Sequence, residues 1–339
     1  MRNNIFSNKV ILVTGGTGSF GKRFCQIIND KFSPKKIIIF SRDELKQFEM
    51  QKEIKDMKKY RFFIGDIRDY ERVKKAMEGV DFVVHAAALK QVPAIEYNPF
   101  EAVKTNILGS QNVIEAAIAN NVKKIIALST DKAAAPINLY GATKLASDKL
   151  FISANNSIGK KNIKFAVVRY GNVAGSRGSV IPFFLKCKVK GVIPITDTNM
   201  TRFNISLEEG VDFVIKSFNM MNGGELFVPK IPSFRVVDLV KAIGPNIKTK
   251  IIGIRPGEKI HEEMITKSDS LNSIEFKDYY VILSNAINHD KPGLNLSKQK
   301  NILFKKGKVV KKPFSYNSEK NKEFLSIKQL KKLISSLNI

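Results

Sequence analysis

A chain of 339 residues with 43% apolar side chains can bury a full core and is long enough for one large domain with a smaller lobe, which excludes a disordered protein. Its formal charge of +26, from 57 Lys and Arg against 31 Asp and Glu, is spread as short pairs such as Lys35-Lys36 and Lys123-Lys124 with no nucleic-acid-binding motif, so neither nucleic acid nor an anionic membrane is the expected partner. Cys25 and Cys187 stand outside any CxxC or Cys/His cluster, and no apolar run reaches ~18 residues, which argues against a disulfide framework, a metal site and a membrane span and leaves a cytoplasmic setting as the expectation.

The first predicted strand, Val10 to Thr14, runs into Thr14-Gly15-Gly16-Thr17-Gly18-Ser19-Phe20-Gly21 and then into a helical pattern. Gly15 allows a tight turn, Gly18 lets the backbone approach a pyrophosphate, and Gly21 lets the helix pack close to the strand, while the helix N-terminus favours the anion. The second strand, Lys36 to Phe40, ends in Ser41-Arg42-Asp43-Glu44, about 20 residues past the glycines, where the adenosine ribose is recognised. Ser41 and Arg42 can bind and neutralise a 2′-phosphate there, so NADP is expected over NAD, with Asp43 and Glu44 assigned to the start of the next helix. The third strand, Arg61 to Gly65, leads to Asp66 and Ile67 at the adenine; the fourth, Phe82 to Ala86, leads to Ala86-Ala87-Ala88, a small-residue floor for the nicotinamide half.

After the fifth strand, Lys124 to Leu128, come Ser129-Thr130-Asp131-Lys132 and then Tyr140-Gly141-Ala142-Thr143-Lys144. Tyr140 and Lys144, four apart, share one helix face. A lysine ammonium beside a phenol, with a nicotinamide cation near, makes a phenolate base usable near neutral pH. The sixth strand is Phe165 to Arg169. All six are nearly continuously hydrophobic and separated by helix-length segments, the pattern of a Rossmann-like, doubly wound parallel sheet.

Beyond Arg169 the pattern breaks into Gly- and Pro-punctuated stretches, 171–178, 190–194 and 253–257. The expected division is an NADP-binding domain with the catalytic residues over 1–170 and a mainly substrate-binding lobe over 171–339, some of whose segments return to the first domain. The dense lysines of Lys305 to Lys312 read as a solvated loop. Leu325, Ile327, Leu330, Leu333, Ile334 and Leu337 form an amphipathic pattern that predicts a docked helix.

On these motifs the chain resembles the extended short-chain dehydrogenases, and within them the inverting UDP-N-acetylglucosamine 4,6-dehydratases of pseudaminic acid biosynthesis. The likeness runs through Ile11 to Gly21, Ser41 to Lys46, His85 to Lys90, Leu128 to Lys144, Val168 to Phe184, Met200 to Phe203 and Ile252 to Glu258, weakening after Asp269. It implies a recycled NADP held by Gly15, Thr17, Gly18, Ser19, Phe20, Gly21, Ser41, Arg42, Asp43, Glu44, Leu45, Lys46, Asp66, Ile67, Ala86, Lys90, Thr105, Tyr140, Lys144 and Val173. UDP-N-acetylglucosamine is the implied partner, bound by Lys90, Asn172, Arg177, Thr201, Arg202 and Arg255, in a homo-oligomer, dimer or hexamer.

The implied cycle is redox-neutral. Tyr140 takes the 4-hydroxyl proton, Lys132 is the base at C5, Asp131 protonates the departing 6-hydroxyl and Thr130 holds the 4-oxygen. An ordinary lysine near pKa ~10.4 is a poor base at neutral pH, so Lys132 is expected to be depressed by burial or by the charge of Lys144 and the nicotinamide. His85, His261 and His289 read as structural. The alternatives are a C5-retaining dehydratase, in which methionine usually stands at the place of Tyr140, a 4-epimerase, which lacks the Asp131-Lys132 pair, and a silent NADP sensor, which usually loses the YxxxK pair.

Overall fold

The computed structural model describes residues 4–176, 178–283 and 307–337. In the first half, β1 (Val10–Thr14), α1 (Ser19–Lys31), β2 (Lys36–Ser41), α2 (Glu44–Glu53), β3 (Tyr60–Ile64), α3 (Tyr70–Ala76) and β4 (Phe82–His85) alternate as the hydrophobic pattern predicts. They are followed by α4 (Val92–Tyr97), α5 (Pro99–Ala102), a π-helical turn at Val103–Leu108, α6 (Gly109–Ala119), β5 (Lys124–Thr130), α7 (Leu139–Ser153) and β6 (Lys164–Tyr170). Val83, Val84, Ile125, Ile126 and the run Phe165 to Val168 are buried without alternation, because helices cover both faces of the sheet: α1 packs on a later helix, and α3, α6 and α7 lie side by side.

The second half contributes β7 (Asn172–Val173), α8 (Val180–Val189), β8 (Val192–Ile195), β9 (Thr201–Ile205), α9 (Leu207–Met220), β10 (Glu225–Pro229), β11 (Ser233–Arg235), α10 (Val236–Ile243), β12 (Lys248–Ile251), β13 (Glu263–Ile265), β14 (Ser273–Glu275), β15 (Tyr279–Leu283), β16 (Lys308–Val309) and β17 (Tyr316–Asn317). One sheet runs β16-β14-β15-β10-β6-β5-β4-β1-β2-β3, parallel from β3 to β10 and antiparallel beyond it. The first six strands give the Rossmann order, and α9, the later partner of α1, packs with β10 back onto this body. The order reverses between β1 and β4, so the crevice for a ligand opens there, beyond their carboxyl ends.

The remaining segments build a lobe around β11-β9-β7 and β12-β8, with its own core of Ile181, Phe184, Ile193, Phe234, Leu239 and Leu330. The last described helix, Ile327–Ser336, opens with a Ser326/Gln329 capping box and lays Leu330 against α10, so the amphipathic stretch docks as its pattern predicts. The lysine run at 305–312 lies partly outside the described residues. Its described part departs from the expected loop, since Lys308–Val309 adds β16 to the sheet edge, where exposed lysines discourage further pairing. No described helix is long and apolar enough to cross a membrane.

Candidate active site

A cavity of about 1070 Å³ runs along the crevice and under the second lobe, at the upper end of the range for ligand sites and so roomy enough for two ligands end to end. Its near end is the β1–α1 turn. Gly15 sits at φ 65°, and a Cβ there would lie 2.9 Å from the Ala87 amide nitrogen, so only glycine brings β1 this close to the chain leaving β4. A Cβ on Gly21 would lie 2.6 Å from the Gly15 carbonyl oxygen, which is the close helix–strand contact expected of that position. Gly18 caps α1 in extended conformation with no side chain bound to the first-turn amides and no acid in that turn. Those donors and the helix dipole suit a pyrophosphate, so the turn fits a dinucleotide.

At the end of β2, Asp43 is the N-cap of α2, accepting from the Lys46 amide at 3.0 Å. Hydrogen bonds from the Lys46 side chain and amide hold its carboxyl below the usual range. The acid is thus turned to the helix, as the sequence suggests, leaving Arg42 half-exposed on the cavity wall with its guanidinium 3.6 Å from Asp66. Asp66 is also gripped by Arg68 at 2.7 Å, and Arg68 by Glu101 at 2.7 Å. Buried Gln47 donates to the Ser41 hydroxyl at 3.0 Å and to the Phe63 carbonyl, fixing the ends of β2 and β3.

The far end is built where β5 stops. Thr130 Oγ1 donates to Asp131 Oδ1 at 2.9 Å and hydrogen-bonds Tyr140, and a single turn, Asp131–Ala133, follows. Asn138 caps α7 by accepting from the Gly141 amide at 2.8 Å, which puts Tyr140 in the first turn and Lys144 one turn on. A Cβ on Gly141 would lie 2.2 Å from the Lys132 carbonyl oxygen, so this glycine lets α7 settle on the Asp131–Ala133 turn. Below Lys144, buried Asp148 accepts from Ser129 at 2.6 Å and from Arg169 at 3.1 Å, and Arg169 also donates to the Met264 carbonyl.

Lys132 Nζ bridges two carboxylates, Asp131 Oδ1 and Glu262 Oε1, each at 3.1 Å. Burial alone lowers the lysine's proton affinity, but Asp131 and Glu262 together raise it well above the ordinary value. The expected depression of Lys132 is therefore overturned: two anions outweigh desolvation, and the resting group is an ammonium. Burial raises Asp131, with Lys132 opposing it. Burial also opposes ionisation of Glu262, yet Lys132 and Arg202 keep it below its usual value. Tyr140 is pushed up to about 12 by burial, against the pull of Lys132 and the Thr130 hydrogen bond. Burial lowers Lys144, with Asp148 opposing, and it drops His85, hydrogen-bonded to Thr14 Oγ1 at 2.8 Å, to about 3, so that this histidine is a neutral structural group.

Arg202, on β9, is 7% exposed and committed to protein partners, donating to the Thr201 and Ile260 carbonyls at 2.7 and 2.8 Å and reaching Glu258 at 3.4 Å. The Arg255-Pro256-Gly257-Glu258 turn is clipped to α7 by Asn138, whose amide donates to the Gly257 carbonyl at 2.7 Å. Lys259 adds a second clip to the Ala134 carbonyl.

The cavity wall gathers Gly15 and Thr17 to Gly21, Ser41 to Asp43, Lys46, Asp66, Ile67, Ala86, Lys90, Thr105, Thr130, Lys132, Tyr140, Lys144, Asn172, Val173, Arg202 and Arg255. Four expected residues are not on it. Asp131 is fully buried behind Lys132; Glu44 and Leu45 face outward from α2; and Thr201 is buried against His261 and Ser318 at 2.9 and 2.7 Å. Arg177 and His289 lie outside the described residues. Sequence reasoning missed Gln47, Asn138, Asp148 and Glu262. Of these only Asp148 left a signal, standing one turn beyond Lys144 on the face that carries Tyr140.

A family model described as polysaccharide biosynthesis protein matches residues 11–284. The chain is 55% identical to a Campylobacter jejuni protein named UDP-N-acetylglucosamine 4,6-dehydratase (inverting), with 98% of each chain covered. It is 41% identical to a Rickettsia canadensis protein named UDP-glucose 4-epimerase, covering 98% of this chain and 97% of the relative. Among solved structures, Pen from Bacillus thuringiensis superposes with a TM-score of 0.87 at 41% identity, covering 98% of both chains.

Proposed function

The chain belongs to the polysaccharide biosynthesis protein family, within the extended short-chain dehydrogenases, and from that premise we propose that it removes water from UDP-N-acetylglucosamine to give the 4-keto-6-deoxy sugar with inversion at C5. The observation that carries the reading is the meeting of Thr130, Lys132, Tyr140 and Lys144 on the wall of one cavity whose other end fits a dinucleotide. Bound NADP would supply a reversible hydride acceptor at the nicotinamide end, and its positive ring, with Lys144, would favour the phenolate. Tyr140 takes the proton of the 4-hydroxyl while Thr130 holds the 4-oxygen; the ketone so formed acidifies C5.

Lys132 and Asp131 then exchange protons as one unit. Passing the ammonium proton across their 3.1 Å contact leaves a neutral amine on the cavity wall and a protonated acid behind it, the pair of states that removal of the C5 proton and departure of the 6-hydroxyl require. Asp131, being off the wall, delivers its proton through Lys132 or Thr130, both of which it contacts. The product suits the first step of pseudaminic acid biosynthesis, carried out in the cytoplasm by a homo-oligomer, dimer or hexamer, as the family resemblance implies.

Incubation with UDP-N-acetylglucosamine in D₂O is expected to give a product lighter by one water, with solvent deuterium at an inverted C5, because the C5 proton passes through an exchangeable ammonium. The 41% relative named as an epimerase favours a second reading; a product isomeric with the substrate would establish it, and a retained C5 would make the enzyme a retaining dehydratase.

NADP is the proposed cofactor because Arg42 and Lys46 stand on the wall at the end of β2 while the neighbouring acid is spent on a helix cap. Arg42→Ala should weaken NADP about 10- to 100-fold and NAD little, as loss of a charge-assisted hydrogen bond predicts. Equal weakening of both cofactors, measured by titration calorimetry, would remove Arg42 from 2′-phosphate recognition.

A further inference from the structure

We propose that Glu262 is a positioning residue for the dehydration, a second carboxylate brought from the substrate-side lobe that fixes the place and the charge of Lys132 from the side opposite Asp131. The inference rests on the reading of the site as a dehydratase. Its basis is geometric. Glu262 stands just before β13 and 130 positions from Lys132, yet its Oε1 lies 3.1 Å from the lysine Nζ, as close as Asp131, and 3.9 Å from Arg202 Nε. Its backbone amide is anchored by the Ser318 hydroxyl at 2.9 Å, and β13 packs on the Asp131–Ala133 turn, so the carboxylate has a fixed origin. Glu262 is 2% exposed but contributes to the cavity wall, which Asp131 does not. Its Oε2 is buried with no hydrogen-bond donor among the described residues.

The charges around Lys132 set the sign of the effect. Asp131 and Tyr140 face it from its own turn and from α7, Glu262 from the approach to β13, Arg202 from β9, Lys90 from the chain after β4 and Lys259 from the segment before Glu262. Three cations and burial therefore oppose the ammonium, and two carboxylates sustain it. With Glu262 in place, Lys132 is an ammonium before it hands a proton to Asp131 and again once it has taken one from C5. Without that charge, Lys132 loses its proton at lower pH, and the balance between amine and ammonium within the Lys132–Asp131 unit shifts toward the amine.

The test reads Lys132 directly. The full chain, labelled with ¹³C at lysine Cε, is followed by NMR from about pH 6 to 9, a window below the ordinary lysine pKa; the Lys132 signal is assigned by its loss in Lys132→Arg. Wild type, Glu262→Gln and Asp131→Asn are each expected to show a charged Lys132 throughout, because one carboxylate suffices, while the Asp131→Asn/Glu262→Gln protein shows it neutral within that window. Glu262→Asp combined with Asp131→Asn, which restores an anion, returns it to the charged state. In parallel, the rising limb of the pH–rate profile moves down by at least one unit in Glu262→Gln, a tenfold change in proton affinity. A Lys132 that is already neutral in Asp131→Asn, or still charged in the double variant, overturns the proposal. Absence of UDP-N-acetylglucosamine dehydration in the wild type, with the NMR pattern as expected, overturns the proposed reaction and leaves the role of Glu262 in fixing Lys132 standing.

Discussion

Tyr140→Phe is expected to reduce dehydration about 10²- to 10⁴-fold while leaving UDP-sugar affinity within about threefold, the range lost when a positioned acid–base group is removed. The phenol occupies the first turn of α7, where the Asn138 cap and the close approach at Gly141 fix it against Thr130, and the ring needs no change of position when its hydroxyl is deleted. Burial pushes Tyr140 up to about 12 against the pull of Lys132, so a neutral phenol is the resting form and contributes little to ground-state binding. Its value arises as the 4-hydroxyl proton moves. Turnover measured by the loss of water, with affinity measured by calorimetry, separates the two effects; near-normal turnover in the variant would remove Tyr140 from the chemistry.

Asp148→Asn should lower stability by about 3–5 kcal/mol, the largest structural effect expected of a single change near the site. Asp148 and Arg169 are 1% and 2% exposed and pair at 3.1 Å, and the same carboxylate oxygen takes the Ser129 hydroxyl at 2.6 Å. Neutralising the acid leaves a guanidinium buried among apolar strands with no anion beside it, only neutral acceptors such as the Met264 carbonyl. Replacing both partners with apolar groups of similar size, Asp148→Leu with Arg169→Met, should recover most of the loss, because no uncompensated charge remains. Denaturant midpoints of the three proteins decide the matter, and a double variant as unstable as the single would show that the ion pair is not the source. Lys144 lies one turn above Asp148, whose charge opposes the lowering of its proton affinity, so the single variant also makes Lys144 easier to deprotonate.

The first half of the molecule was legible because its signals are local. Consecutive Ile and Val residues mark strands buried on both faces, and β1 is reproduced residue for residue, while the others differ by one or two positions at their ends. Gly15 and Gly21 could be read because a missing Cβ has one cause in each place, a left-handed turn and a helix pressed on a strand. Tyr140 and Lys144 could be read because helical spacing alone puts them on one face.

The second half was legible only in outline, since β10, β14, β15 and β16 return to the sheet through pairing that no local pattern announces. The charge state of Lys132 was misread for the same reason. Its sign depends on Glu262, a residue 130 positions away that reaches the site only when the two halves fold together. Thr201 sits in a matching motif, but β9 directs its hydroxyl to His261 and Ser318, a choice of face that the motif does not specify.

In the proposed reaction one site oxidises C4, eliminates water across C5 and C6, and returns the same hydride to C6. The most direct measurement uses UDP-N-acetylglucosamine deuterated at C4, turned over in ordinary water, with NMR of the product. One deuterium is expected in the C6 methyl group of a 4-keto product that has lost water. Deuterium missing from C6, or retained at C4 in a product that has kept its water, would contradict it.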